Sequence, residues 1–221
     1  MKYSLLRKIK TYIEVSLPWY ISIPVIMFSI MFPILFGCNT YEDVGVILDR
    51  CFSFLAVITF SNVYYIELQQ KTAEVYNLLP NKRKTADILK RLIVRFLFLT
   101  CMIGICFASY SIKGLHVYVG KEAGTMFIQA FFSVVAVMFL FGAISFFCVN
   151  LSSNLGVGIG IGIVAWMILT STVALNLPAL FNFFAYGVKD DWYIGKVTAI
   201  VVGMLFLFMG TSLIDKKSNK G

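Results

Sequence analysis

The sequence predicts an all-α, polytopic membrane protein, built as a single bundle of six transmembrane helices. The composition is 59% hydrophobic and only 14% charged, whereas soluble domains carry about a quarter charged residues. The mean hydropathy is +0.85. Apolar runs recur that are long enough, at about 1.5 Å per residue, to cross a hydrocarbon core of about 30 Å. Basic residues gather between those runs, as in the loops of membrane proteins.

Residues 1–17 predict an amphipathic helix that lies along the membrane interface. The residues on its less polar side are Leu5, Leu6, Ile9, Tyr12, Ile13 and Ser16. A cleavable signal peptide is a poor fit, because the apolar stretch that follows is too long and no small-residue cleavage site comes after it.

Residues 18–214 form the predicted transmembrane domain, and residues 215–221 form a cytoplasmic tail. The spans are expected at residues 18–36, 51–66, 92–110, 126–149, 156–175 and 194–214. The loop before the second span carries Glu42, Asp43 and Asp49 and is expected outside. A very short connection at residues 150–154 predicts a tight cytoplasmic turn.

The distribution of basic residues orients this bundle. The expected cytoplasmic side holds Lys2, Arg7, Lys8, Lys10, Lys71, Lys82, Arg83, Lys84, Lys90, Arg91, Lys216, Lys217 and Lys220. The expected outer side holds Arg50, Lys113, Lys121, Lys189 and Lys196. By the positive-inside rule both termini are cytoplasmic. The net charge of +8 forms no concentrated basic face, so we expect contact with membrane lipid and not with nucleic acid.

The segment from Glu67 to Arg91 is longer than a simple connection needs to be. One interpretation is a solvated loop that orients the protein by its charge. The other is a short helix along the membrane surface that offers carboxylates and a basic turn to a cytoplasmic protein. The residues assigned to that docking role are Glu67, Lys71, Glu74, Leu78, Leu79, Pro80, Lys82, Arg83 and Lys84.

Two further segments have unusual composition. Alternating glycines in the fifth span predict close helix packing and not ligand binding. They are Gly156, Gly158, Gly160 and Gly162. The stretch before the sixth span is too apolar for an ordinary loop, so we expect a re-entrant element in the outer leaflet. Its marker residues are Pro178, Phe181, Phe183 and Phe184.

The sequence offers little material for catalysis or metal binding. It has no GxxxxGK[ST] run, a single histidine and five cysteines without CxxC spacing. The sequence allows a disulfide between Cys38 and Cys51 but does not require one. Arg95 and Lys196 are expected near span ends, where they reach the interface, which argues against an ion-coupled pump.

One stretch carries a family resemblance. The run Glu67-Leu-Gln-Gln-Lys-Thr-Ala-Glu74, followed by Leu78-Leu-Pro80-Asn-Lys-Arg83-Lys84, resembles the first cytoplasmic loop of ABC-2-type permeases. The order of elements is similar along the whole chain, from an amphipathic start through six spans to a re-entrant segment before the last span.

The resemblance implies a permease subunit of a bacterial exporter, placed in the cell membrane. Its loop forms a coupling helix that sits in a separate P-loop ATPase. Two ATPase copies then work with two permeases, either identical copies or paralogues. The resemblance also implies that this chain binds no cofactor and is not itself an enzyme, since ATP and Mg would belong to the ATPase. The implied cargo is amphipathic or hydrophobic, such as a peptide, a toxin or an antibiotic, and a cavity of apolar side chains from the first, second and fifth spans suits it.

Two other functions remain open. A substrate-capturing subunit of an energy-coupling-factor importer has a similar size, but such proteins dock through AxxxA faces, and residues 18–36 contain no alanine. A membrane immunity or scaffold protein that transports nothing is the other alternative. Co-purification of a P-loop ATPase separates both from an exporter permease.

Overall fold

The computed structural model describes residues 12–63, 81–116, 122–171, 174 and 176–218. Across these ranges the chain is helical, and its only strand-like feature is an isolated bridge between Thr40 and His116. The helices are α1 (Trp19–Leu35), α2 (Tyr41–Ser61), α3 (Asn81–Ile112), α4 (Ala123–Ser152), α5 (Leu155–Thr170) and α6 (Trp192–Ser218), with a 3₁₀ turn at Ala179–Phe181 between α5 and α6.

Four of these helices are long and apolar enough to cross a membrane. They are Tyr41–Ser61, Lys84–Ile112, Ala123–Ser152 and Trp192–Ile214. The all-α, membrane-embedded class is therefore confirmed. The helices α1 and α5 are apolar but shorter, with 17 and 16 residues, or about 26 and 24 Å at 1.5 Å per residue.

The second span starts ten residues earlier than the sequence interpretation placed it. A capping box at Thr40 begins the helix: Thr40 Oγ1 accepts a hydrogen bond from the Asp43 amide over 3.1 Å, and Asp43 Oδ2 accepts one from the Thr40 amide over 3.1 Å. The predicted outer loop around Asp43 and Asp49 is therefore wrong, since both residues lie in α2.

Helix α4 is the centre of the bundle. In its most apolar window 72% of the residues are buried, against 22% in α6. It packs against α2, α5 and α6 through small and aromatic side chains such as Ala136, Phe141 and Phe146. The buried apolar side chains of α2 and α4 form the core around which the other helices are arranged.

A two-residue turn joins α4 to α5, in agreement with the predicted tight connection. Ser153 adopts a left-handed conformation with φ of 54°. Asn154 then caps α5, because its Oδ1 accepts a hydrogen bond from the Gly156 amide over 2.9 Å. The turn makes α4 and α5 antiparallel neighbours.

The bundle has two ends, which we name by their contacts. At the distal end the His116 amide donates to the Asn39 carbonyl over 2.7 Å. At the proximal end Arg95 Nε donates to the Ser16 carbonyl over 2.8 Å. Residues 12–16 are helical; the rest of the predicted amphipathic helix lies outside the described residues. The sequence interpretation places the distal end outside and the proximal end in the cytoplasm.

Candidate functional site

An ion pair between Asp49 and Lys196 lies in the interior of the bundle. Lys196 Nζ contacts Asp49 Oδ2, and the two side chains are 0% and 2% exposed. Ser133 Oγ donates a hydrogen bond to the same carboxylate oxygen over 3.2 Å. The cluster therefore connects α2, α4 and α6. Asp49 Oδ1 has no hydrogen-bond partner among the described residues.

The prediction that the side chains of Arg95 and Lys196 reach the membrane interface is wrong. Lys196 is 0% exposed and Arg95 is 1% exposed, so neither side chain reaches an interface. The error follows from the late start assigned to the second span, which put Asp49 in a loop and left Lys196 without an acidic partner. The inference against ion coupling depended on that position and loses its support.

The segment at residues 176–191, here the distal segment, covers the ion pair. The centroid of the Phe184 ring lies 5.9 Å from Lys196 Nζ and 5.7 Å from the centroid of Phe141 in α4. At Gly195 in α6 an added Cβ would lie 2.3 Å from the Asn182 carbonyl oxygen. The distal segment therefore packs directly against the α6 backbone beside Lys196.

The aromatic residues predicted for a re-entrant element divide into two groups. Phe183 and Phe184 are buried, at 6% and 5% exposure, whereas Phe181 is 53% exposed. Pro178 precedes the 3₁₀ turn as its N-cap residue. The distal segment thus packs part of its apolar surface against the bundle and presents the rest outward.

Tyr186 lies between the ion pair and a cleft at the distal end. Its ring packs on Gly45, where an added Cβ would lie 2.7 Å from Tyr186 Cε1, and meets the Trp192 ring edge-on with centroids 4.9 Å apart. Burial, and then the nearby carboxylates of Glu42 and Asp49, raise the pKa of the Tyr186 hydroxyl. The hydroxyl consequently stays neutral at physiological pH.

The distal cleft has a volume of about 350 Å³ and a polar lining. Charged, amide and aromatic groups surround it, among them Glu42, Gln129, Tyr186, Lys189, Asp190 and Trp192. Tyr186 forms part of the wall and also lies near Asp49, so it connects the cleft with the region of the ion pair.

A second buried cation, Arg95, lies at the proximal end. Its Nε donates to the Ser16 carbonyl over 2.8 Å. Its Nη1 donates to the Thr59 carbonyl and to Asn62 Oδ1. These contacts join the N-terminal segment, the end of α2 and the middle of α3. The C-terminal carbonyls of a helix carry about half a negative charge, so they offset the guanidinium in part.

An apolar cavity of about 240 Å³ adjoins this cluster. Its walls come from α1, α2 and α5, the three spans that the sequence interpretation assigned to a cargo cavity. The apolar lining includes Ile21, Pro24, Val25, Leu55, Ile58 and Ile159. Its polar groups are at one end, where Tyr20, Thr59, Ser61 and Asn62 lie.

The four glycines of α5 are not equivalent. At Gly158 an added Cβ would lie 2.7 Å from the Val149 backbone, and at Gly162 it would lie 2.7 Å from Val57 Cγ1. At Gly160 no atom lies within 4 Å, and at Gly156 only Asn154 Oδ1 approaches, at 3.4 Å. Close packing against α4 and α2 therefore requires glycine at positions 158 and 162 only.

Most of the predicted docking segment lies outside the described residues. This applies to Glu67, Lys71, Glu74, Leu78, Leu79 and Pro80. Lys82, Arg83 and Lys84 fall in the first turn of α3. Lys84 is 2% exposed, so it does not form a solvated surface charge.

The described residues hold little conventional site chemistry. Within them, no group of three or more His, Cys, Asp or Glu side chains is placed to hold a metal ion. All five cysteines are free thiols, including Cys38 and Cys51. The functional groups that remain are the buried ion pair with its distal cleft, and the Arg95 cluster with its apolar cavity.

Comparison with known proteins adds no family assignment. No family model matches the chain, and no curated protein or solved structure matches it significantly.

Proposed function

We propose that this chain is the permease subunit of an ATP-driven exporter in a bacterial cytoplasmic membrane. In this proposal six helices cross the membrane and both termini are cytoplasmic. Two P-loop ATPase subunits bind the proximal side, and a second permease, identical or paralogous, completes the pathway. The ATPases hydrolyse ATP with Mg, and their closure switches the pathway between inward and outward access. The cargo is amphipathic or hydrophobic, such as a peptide, a toxin or an antibiotic.

The observation that carries the proposal is the apolar cavity between α1, α2 and α5. It is walled by aliphatic side chains and has polar groups at one end only, which suits a ligand that is largely apolar. It also lies beside the end of α2, and the docking segment predicted at residues 67–84 follows that helix along the chain. Movement of that segment would therefore act first on the wall of the cavity.

Contacts along the shorter helices support six crossings. Helix α1 runs beside α3 from the Arg95 level, where Ser16 is bound, to the level of Tyr110, whose hydroxyl donates to the Phe36 carbonyl over 2.9 Å. Helix α5 packs along its neighbours from the α4–α5 turn to the level of Trp166. The Nε1 of Trp166 donates to the Arg50 carbonyl in α2 over 3.0 Å. Both short helices thus accompany membrane-crossing helices over most of their length.

Charge reversal in the docking segment tests the proposal. In Glu67→Lys and Glu74→Lys we expect ATP hydrolysis by the co-purified ATPase to persist while export falls, because the loop no longer transmits ATPase closure. Glu122→Lys is the matched control, since it reverses an exposed acid at the distal end. Full coupling in both segment variants would refute the docking role.

A second candidate function is ion-coupled transport by the chain alone, which the buried Asp49–Lys196 pair favours. Paired charges inside a membrane bundle commonly mark ion or proton pathways. Reconstitution of the purified chain without an ATPase separates the two functions. Cargo movement driven by a proton gradient and abolished by Asp49→Asn would support ion coupling, and movement only with ATPase and ATP would support the exporter.

A further inference from the structure

We infer that the apolar cavity between α1, α2 and α5, together with Asn62 and the buried Arg95 behind it, is a binding site for an anionic phospholipid. The acyl chain lies along the aliphatic walls, and the phosphate lies at the polar end beside Asn62 and Tyr20. The lipid occupies this cavity when cargo is absent, and its binding is measured on the chain alone, without the exporter function.

Arg95 carries a positive charge that no carboxylate neutralises among the described residues. Its hydrogen-bond acceptors are two backbone carbonyls and one amide oxygen. Asp87, on the same helix, is already paired with Arg91 at 2.9 Å. Since helix-end carbonyls supply only about half a unit of negative charge, a buried positive potential remains at this end of the cavity.

Asn62 lines the cavity, and its contact with Arg95 orients its side-chain amide. Arg95 Nη1 donates to Asn62 Oδ1, and this contact fixes which side of the amide faces the guanidinium. The Asn62 amide nitrogen, a donor of two hydrogen bonds, is then directed away from Arg95. Together with the Tyr20 hydroxyl it gives the polar end of the cavity donors that suit a phosphate oxygen.

The ligand of this cavity comes from the surrounding membrane. Tyr20 and Ile58 line the cavity and are 48% and 39% exposed, so the cavity is continuous with the outer surface of the bundle. In a membrane that surface faces lipid. Basic pockets between membrane helices on the cytoplasmic side bind anionic head groups, and the proximal end is the side that the charge distribution predicts to be cytoplasmic.

Native mass spectrometry of the purified full-length chain tests the site. The chain is reconstituted in nanodiscs that contain both phosphatidylethanolamine and phosphatidylglycerol, and the lipid retained after release is identified. We expect wild type to retain phosphatidylglycerol preferentially. Ile159→Trp fills the apolar cavity, and Asn62→Leu removes the amide donor at its polar end. Each substitution should lower the retention of phosphatidylglycerol about tenfold, which corresponds to a change of about 1.4 kcal/mol in binding free energy. Lys90→Gln, which removes an exposed charge from the same helix, should leave it unchanged.

Thermal unfolding of each variant identifies those that remain folded, and Ile159→Trp provides the test if Asn62→Leu does not fold. The inference is overturned by equal retention of the two lipids in wild type. It is also overturned by unchanged retention in a folded Ile159→Trp variant, or by an equal loss in Lys90→Gln. Recovery of a non-lipid amphipathic anion in place of phospholipid would assign the cavity to cargo and contradict the lipid site.

Discussion

At the residue scale, the main feature is that two charges are buried together. An isolated charged side chain in a low-dielectric interior costs several kcal/mol, and a partner offsets most of that cost only when the geometry is good. Asp49 and Lys196 meet this condition through direct contact and the additional hydrogen bond from Ser133. Each side chain can therefore be buried only because the other is present.

Removal of both partners should consequently cost less stability than the two single removals added together. Asp49→Asn or Lys196→Met should each lower the free energy of unfolding by about 3–5 kcal/mol, because the remaining charge is buried without compensation. The double variant should lose clearly less than the sum of the two single losses. Thermal or denaturant-induced unfolding of the purified protein in detergent measures these changes.

The partly exposed pair of Asp87 and Arg91 provides the control for this cycle. Its atoms lie 2.9 Å apart at positions i and i+4 of α3, and the Asp87 and Arg91 side chains are 33% and 11% exposed, against 2% and 0% for Asp49 and Lys196. Asp87→Asn should change stability by less than about 1 kcal/mol. If the two interior single losses were simply additive, Asp49 and Lys196 would not interact as the structure describes.

At the element scale, small residues determine how closely the helices approach. Helix α5 is apolar on all sides, so hydrophobic burial does not select one face of it for packing in a lipid environment. Gly158 and Gly162 supply that selection, because only these two of its four alternating glycines meet the neighbouring helices closely. The position of α5, and with it one wall of the apolar cavity, depends on them.

Two alanine substitutions in α5 test this packing. Gly158→Ala should destabilise the protein by about 1–3 kcal/mol, since the added methyl group overlaps the Val149 backbone. Gly160→Ala, two residues away, has open space around its Cβ and should be neutral or stabilising by up to about 1 kcal/mol. Unfolding temperatures of the two variants compare the positions directly; equal losses would contradict the observed face.

Much of the helical architecture could be predicted from the sequence, since apolar run length and charge position follow from the cost of placing polar groups in lipid. The early start of α2 was missed although a signal exists, because Thr40 and Asp43 have the spacing of a capping box. The pairing of Asp49 with Lys196 was not predictable in this way. The two residues are 147 positions apart, and no local pattern encodes their contact.

At the scale of the whole molecule, the topology determines what each end of the bundle can do. In the proposed topology, with six crossings and both termini in the cytoplasm, the distal cleft would lie on the outer side and the Arg95 cluster on the cytoplasmic side. In this proposal the predicted docking segment, residues 67–84, belongs to the same side as the apolar cavity. An exporter needs this arrangement, because its ATPase acts from the cytoplasm.

Cysteine labelling tests this topology. In a variant without native cysteines, Asn39→Cys and Asn176→Cys should react with a membrane-impermeant reagent added to intact cells, and Asn154→Cys should react only after the cells are opened. The pair Asn154 and Asn176 flanks α5, so opposite accessibility at these positions shows that α5 crosses. Equal accessibility of the two would reduce the number of crossings.

The most direct test of the proposed function is a site-specific crosslink from the docking segment. A photo-crosslinking amino acid is placed at Lys71 in that segment, and at Lys189 in the distal segment as the control, and the products formed in living cells are identified by mass spectrometry. We predict that position 71 is joined to a P-loop ATPase and that position 189 is not. Absence of an ATPase at position 71, in cells where the chain is shown to export its cargo, would contradict the permease assignment.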